Sequence, residues 1–274
     1  MAYPSIDAPY GLKPINLIGG QVFAGSTREL PITYGYATNI FYGDFVTLVR
    51  GNLERITVST GVVGTLMGVF LGCSFTNPIT KQKQFSQYWP ASTLAGDAVA
   101  IVSDDPDAVF RVAMVSGTTV IASGARAMIG QNLAAVNNTG STSTGNSANA
   151  VLADTSLALT AALPIRVMGL VPDTAVQLGT ATYTSISTAT VTLASAISFT
   201  PMVGCDVGSL AANGQYIASG SYVASVTNST TIVLNAAPIT AFASSATLVF
   251  TQYPEVLVKI NFGLHKYYAG TAVA

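Results

Sequence analysis

Apolar and polar residues alternate along much of the first 115 residues, with the period of two that is typical of half-buried β-strands. The clearest example, "ELPITYGYATNIFYGDFVTLV" at 29–49, is rich in Tyr, Thr, Ile, Phe and Val and contains the turn "YGD". "RITVST", "VVGTLMGVFLGCSFT", "FSQYW", "AVAIVS" and "AVFRVAMV" continue the series, with turn residues about every 8 to 15 positions. No capped apolar stripe of helical period lies between them. The pattern predicts an all-β fold, an antiparallel sandwich or barrel.

The first 27 residues differ, because Pro4, Pro9 and Pro14 oppose helix formation and favour extended backbone. We therefore predict an extended N-terminal arm over 1–27. It should lie on a neighbouring subunit, since it has contact groups without a partner strand of its own. Deleting 1–20 should then leave a folded protein that binds its partner poorly. The predicted contact residues of the arm are Tyr3, Pro9, Tyr10, Leu12, Pro14 and Ile15.

The remaining candidate contact is Trp89, the one tryptophan, which lies in "QYWPAS". A large aromatic side chain beside a proline is suited to the end of a strand, where it packs on its neighbours. Trp89 could stack on a sugar, but an anchor in an interface or a core residue is favoured, and the sequence leaves these two open.

The composition changes between 115 and 160, where Ala, Ser, Thr, Asn and Gly dominate and Arg126 and Asp154 are the charged residues. "NNTGSTSTGNSANA" at 137–150 has no large apolar residue to anchor it, which predicts a long exposed loop. The following "AVLADTSLALTAA" could form a short helix.

A second change covers 174–252, where Asp206 is the one charged residue and short apolar segments are separated by Ser-Gly and Asn-Ser turns. "LPIRVMGLVPDT" before it and "YPEVLVKINFGLHKY" after it resume the earlier composition. We therefore predict a small β-sandwich-like module at 174–252, inserted into a β-rich domain that comprises 28–173 and 253–274.

The composition limits the classes of partner. Half of the residues are hydrophobic and only 8% are charged, against about 25% in typical globular domains, so the surface is expected to need protein partners. A net charge of −1 gives no basic excess for binding phosphates, which argues against nucleic acid. The most apolar run, 61–75, is shorter than the roughly 20 residues of a spanning helix, so no membrane association is expected. The first residues also lack the features of a secretion signal.

Candidate catalytic and metal-binding groups are few. Asp104, Asp105 and Asp107 form the densest acidic cluster and could hold calcium, but Pro106 and the flanking strands favour a turn. No pair among the twelve acids lies in a setting recognisable for glycoside hydrolysis. The one histidine, His265, is expected on the surface of a strand or tail, which argues against a Ser-His mechanism. We predict no catalytic, metal or cofactor site.

Two further features have structural interpretations. "LIGGQVFAG" at 17–25 lacks the phosphate-binding fingerprints and is expected to be a flexible part of the arm. Cys73 and Cys205 could form a disulfide, but two small buried side chains are favoured.

Six segments in order resemble a family of virion proteins from tailed bacteriophages. They are "APYGLKPI", "NIFYGDFVTLV", "LMGVFLGCSF" followed by "QYWPAST", "AVAIVSDDPDAVFRV", "MIGQNLAAV" and "PEVLVKINFGLHKY", and the resemblance covers about 1–172 and 253–274. It implies a capsid decoration or cement protein in the virion. Such a protein is a homotrimer, and its partner is the major capsid protein on the outer surface of the head, where it stabilises the shell. The inserted module is similar to β-modules of several phage structural proteins.

Other functions stay open at this point. The inserted module could bind a receptor or glycan through Tyr183, Tyr216 and Tyr222, whose rings could offer stacking faces. A role as a major head or tail component is a rival within the same class, although the long helix and charged surface usual in shell proteins are not evident. An enzyme would need a constellation of residues that the sequence does not display.

Overall fold

The computed structural model describes residues 8–56, 65–115, 126–153, 163–171, 174, 179–196, 207–210, 217, 221–237, 247–250 and 253–268. These residues form strands, turns and two single-turn 3-10 helices, Arg126–Met128 and Phe262–Leu264, without an α-helix. The predicted all-β fold is therefore confirmed. The strands are β1 Lys13–Leu17, β2 Arg28–Pro31, β3 Phe45–Val49, β4 Asn52–Arg55, β5 Gly68–Thr76, β6 Lys83–Ser86, β7 Val99–Ser103, β8 Ala108–Val115, β9 Asn132–Val136, β10 Ala150–Leu152, β11 Ile165–Leu170, β12 Gly179–Ser187, β13 Thr190–Leu193, β14 Val207–Leu210, β15 Val223–Asn228, β16 Thr231–Leu234, β17 Thr247–Phe250 and β18 Glu255–Ile260.

Five strands close into a small barrel. The order is β8-β10-β9-β11-β18, and β18 pairs again with β8, so no edge is left between them. All of these pairs are antiparallel except β8 with β10. The interior is filled by alternating side chains of the strands, among them Phe110, Val112, Leu133, Ile165 and Val258. β1 adds to the barrel beside the first half of β8.

A second sheet has the order β2-β7-β5-β3-β4, with β6 paired to the end of β5. A bridge between Ile32 and Leu53 brings the two outer strands of this sheet together. Its core surrounds Trp89, which is fully buried and meets Phe75 edge to face at 5.3 Å between ring centroids. Trp89 therefore fills the core of its own chain, and its assignment as an interface contact is corrected.

The third sheet, β14-β17-β12-β13-β16-β15, is built entirely from 179–250. Its core residues, which include Val191, Ile232, Leu248 and Phe250, also come from this part of the chain. β11 before it and β18 after it pair with each other in the barrel. The division into 1–27, 28–173 with 253–274, and 174–252 stays a prediction.

Two local predictions are corrected. Ala150–Leu152 is strand β10, buried against β8 and β9, so the predicted short helix does not begin there. The rest of that segment, 154–162, lies outside the described residues. The loop at 137–149 is exposed only in part, since Ser147 and Asn149 are buried. Cys73 is buried with a free thiol, and Cys205 lies outside the described residues.

Candidate interaction surfaces

The N-terminal segment is part of the chain's own fold from residue 9 onward. β1 pairs antiparallel with β8, and Leu12 is fully buried in the barrel core. The preceding backbone is fixed by two hydrogen bonds of 3.0 Å, Gly11 N–H to the Asn149 carbonyl and Leu12 N–H to the Gly43 carbonyl. Within the predicted arm, Lys13–Leu17 is extended, as expected, but it has a partner strand, β8, within its own chain. Residues 1–7 of the predicted arm lie outside the described residues.

The predicted contact residues of the arm differ in burial. Pro9 and Leu12 are buried, Tyr10 and Pro14 are half-buried, and Ile15 is exposed. The Tyr10 hydroxyl donates a hydrogen bond to the carboxylate of Glu255, which is also ion-paired with Arg111. Burial, and the adjacent Glu255 carboxylate, raise the pKa of Tyr10. Pro9, Tyr10 and Leu12 thus stabilise the barrel, Ile15 is available for a partner, and Tyr3 lies outside the described residues.

Residues 13–22 form a hairpin, which we call the N-terminal hairpin. Leu17 N–H donates to the Gln21 carbonyl at 2.8 Å, and the chain reverses through Gly19 and Gly20, whose φ angles are 94° and 84°. Glycine adopts these left-handed angles without steric cost, which explains the Gly-Gly pair. The hairpin exposes three apolar side chains, Ile15, Ile18 and Val22, the last of them 79% exposed. Residues 17–22 of the segment that was predicted to be flexible therefore form an ordered turn, with the apolar side chain of Ile18 exposed.

Residues 104–107 form an acidic corner beside this hairpin. The Ile18 N–H donates to the Asp107 carbonyl at 3.0 Å, which joins the two elements. Asp105 Oδ1 accepts the Asp107 N–H at 2.8 Å, and the turn interpretation is confirmed. Asp104 is instead paired with Arg28 at 3.0 Å. Among the described residues, no three His, Cys, Asp or Glu side chains come together as metal ligands would.

A second projecting element is the β5–β6 hairpin, residues 73–86. Asn77 Oδ1 accepts the N–H groups of Ile79 and Thr80 at 2.8 and 3.2 Å and thereby shapes its turn. Ile79 is 88% and Phe85 is 81% exposed. The predicted strand "FSQYW" overlaps β6 at Phe85 and Ser86, but the sequence does not predict the exposure of Phe85, because nothing in the composition shows that β6 is an outer strand.

The β5–β6 hairpin is basic at its tip. Lys83 Nζ lies 3.1 Å from Asp97, whose pKa is lowered by hydrogen bonds from Thr76 and Lys83. Lys81 is exposed, and no ion pair within the described residues neutralises it. The hairpin therefore presents apolar side chains together with positive charge.

His265 is buried, which corrects its predicted surface position. Its backbone bridges to Leu66, and the side chain lies between this bridge and the acidic corner. Nδ1 accepts the Tyr267 N–H at 3.3 Å, and Nε2 has no hydrogen-bond partner among the described residues. Desolvation lowers the pKa of His265 even though Asp104 and Asp105 oppose the shift.

We expect His265 to make stability depend on pH. Because its folded pKa lies below the unfolded value of 6.5, the unfolded chain binds the proton first, and stability falls as the pH drops from about 6.5 through the folded pKa. His265→Asn keeps an acceptor near the Tyr267 N–H but cannot titrate. The loss of unfolding free energy between pH 7.5 and 5.5 in urea titrations should therefore be smaller in the variant. Equal losses in both proteins would contradict this role.

A buried polar network ties the 137–149 loop to the second sheet. Arg55 Nε lies 2.8 Å from Asp44, and its Nη2 donates to Asn137 Oδ1 at 2.6 Å and to the Asn138 carbonyl at 2.7 Å. Asp44 is fully buried and also accepts hydrogen bonds from the Ser147 hydroxyl at 2.6 Å and the Phe41 N–H at 2.9 Å. Burial raises the pKa of Asp44, and the charge of Arg55 opposes this. The sequence alone does not predict this network, because Asp44 and Ser147 are far apart in the chain.

The fold and these surfaces define an all-β protein with two projecting hairpins that expose apolar side chains. No protein-family model matches the chain, nor does any curated protein or solved structure. Within the described part of the chain, no helix has the length and apolarity required to cross a membrane.

Proposed function

We propose that this chain is a non-enzymatic capsid decoration (cement) protein of a tailed bacteriophage. It binds the major capsid protein on the outer surface of the head, associates with itself as a homotrimer, and stabilises the shell by bridging capsomers. The observation that carries the proposal is the set of exposed apolar side chains on two separate hairpins, since a protein that binds both a shell and its own copies needs separate surfaces for them.

The physical benefit of such a protein comes from binding two capsomers at once. A shell under internal pressure fails where capsomers separate, and a molecule attached to both must lose one contact before they part. Contacts made by one rigid body act at high effective concentration, so individually weak contacts suffice. Closed β-structure suits this role, because a closed barrel and bridged outer strands resist deformation and leave few edges for unwanted pairing.

The charges of the described residues fit a structural role. Asp44 and Glu255, the most deeply buried carboxylates, are each paired with an arginine and hydrogen-bonded by neighbouring groups. A fully satisfied buried polar network rigidifies a fold, which is the role that we give to these two carboxylates. The proposal therefore assigns no catalytic residue, metal or cofactor.

The test uses heads of the encoding phage, assembled with a stop codon in this reading frame. Purified protein is added back, and the temperature at which heads release DNA is measured. We expect the protein to co-sediment with heads and to raise the release temperature, because binding at a hundred times Kd adds about 2.7 kcal/mol at each site. Ile15→Ser, at an exposed position of the N-terminal hairpin, should reduce this binding.

Two outcomes would contradict the proposal. One is an unchanged release temperature without co-sedimentation. The other is the location of the chain elsewhere in the virion by electron cryomicroscopy. Binding of the full chain to immobilised glycans without binding to heads would favour the receptor-binding alternative, for which Tyr222 offers an exposed ring.

A further inference from the structure

The acidic corner and the tip of the β5–β6 hairpin lie at opposite ends of one pair of strands. Ser103, which precedes the corner, pairs with Val69 near the start of β5, whereas Thr76 at the end of β5 pairs with Lys83 of the hairpin. The seven steps from Val69 to Thr76 span about 23 Å at 3.3 Å per residue. The two ends cannot meet within one copy of the chain.

The two ends are complementary in charge and alike in apolar character. The β5–β6 hairpin presents Ile79 and Phe85 with the free cation Lys81. The other end presents Ile18 and Val22 of the N-terminal hairpin beside Asp107, whose side chain is 70% exposed and 3.7 Å from Lys259. Two apolar surfaces are suited to bind each other when the charges that border one are opposite in sign to those that border the other.

We propose that these ends bind each other in a head-to-tail contact between two copies of the chain. The β5–β6 hairpin of one copy lies against the N-terminal hairpin and acidic corner of the next, with Lys81 facing Asp107. A contact between two different surfaces forms a ring when its rotation closes. The inference rests on the self-association included in the proposed function and names the surfaces responsible.

The contact also accounts for features that the fold of one chain leaves unexplained. Ile79, Phe85 and Val22 are the most exposed large apolar side chains among the described residues, and all three lie in the two surfaces. Exposed apolar clusters of this kind mark interaction sites in soluble proteins. Covering them with a second copy removes them from water.

The test exchanges the charges of the two surfaces. Association of the chains is then measured by light scattering and sedimentation over a range of protein concentrations. Lys81→Glu and Asp107→Lys should each raise the concentration at half-dissociation about tenfold or more, because each opposes like charges across the contact. The variant that carries both substitutions restores opposite charges and should regain most of the association. Arg126→Glu, an exposed change outside both surfaces, is the control and should leave association unchanged.

A second arm tests the apolar part. Phe85→Ser should dissociate the assembly while circular dichroism remains that of the folded chain, since Phe85 is on the surface of one copy. A wild-type oligomer that none of the four interface variants alters would overturn the head-to-tail contact and leave the proposed homotrimer intact. A wild-type chain that is monomeric at all concentrations, and also on heads, would overturn the self-association itself. Loss of head binding by Lys81→Glu with unchanged association would assign this surface to the capsid protein and overturn the inference.

Discussion

Replacing Arg55 with leucine is expected to lower the free energy of unfolding by about 3–5 kcal/mol, because the substitution leaves the Asp44 carboxylate buried without its cation. Arg55 also holds Asn137 and the Asn138 carbonyl, so the 137–149 loop loses its attachment to β4. The measurement is urea unfolding followed by the fluorescence of Trp89, which is buried in the same sheet and is the one tryptophan.

Two comparisons separate the charge from simple loss of packing. Arg126→Leu removes an exposed arginine and should change stability by less than about 0.5 kcal/mol. Adding Asp44→Asn to the Arg55→Leu variant removes the unpaired charge and should recover part of the loss. A double variant no more stable than Arg55→Leu alone would show that the buried charge is not the cause.

The pH dependence of the Arg55→Leu variant has a defined sign. Burial already raises the pKa of Asp44 above 3.8, and losing Arg55 raises it further. A folded carboxyl with a raised pKa holds its proton longer than the unfolded one, so stability falls as the pH rises from about 3.8 through the folded value. The deficit relative to wild type should therefore shrink when unfolding is measured at pH 4.5 instead of pH 7.

The fold class could be predicted because strands such as β3, β5 and β8 carry local signals. They are rich in β-branched and aromatic residues, and the turn residues of "DDPD" mark the end of β7. The pairing of β8 with β10, β18 and β1 could not be predicted, because these strands are far apart in sequence and nothing local specifies their order.

The sites were harder to predict for the same reason. The low charge indicated a protein that binds other proteins. Which apolar side chains are exposed depends on which strands lie at the edge of a sheet, as Phe85 on β6 shows. His265 was expected on the surface because its neighbours alternate, whereas its bridge to Leu66 places it inside. Ser147 and Asn149 were expected in an exposed loop. Their burial could not be predicted, because their hydrogen-bond partners Asp44 and Arg55 come from another part of the chain.

The N-terminal segment differs most from its predicted structure, because it is a strand of the barrel. A substitution in this segment is therefore expected to have the second large effect on stability. Leu12→Ala should lower the free energy of unfolding by about 2–5 kcal/mol, because the leucine is fully buried in the barrel core next to β8. By the same argument, deleting 1–20 removes Leu12, the Tyr10 hydrogen bond to Glu255 and all of β1. The truncated chain should therefore be strongly destabilised, contrary to what the proline pattern suggested.

Ile15→Ala is the matched comparison for Leu12→Ala, since Ile15 lies in β1 three residues further on but is exposed. It should cost clearly less than Leu12→Ala, about 1 kcal/mol, because Ile15 is only partly covered. If the segment were a detachable arm, neither substitution would affect unfolding by urea, followed by circular dichroism, and both would weaken binding to heads. If it is a barrel strand with an exposed face, Leu12→Ala acts on folding and Ile15→Ala acts on binding. Under the proposed function, packing and recognition then belong to different side chains of the same eleven residues, 12–22.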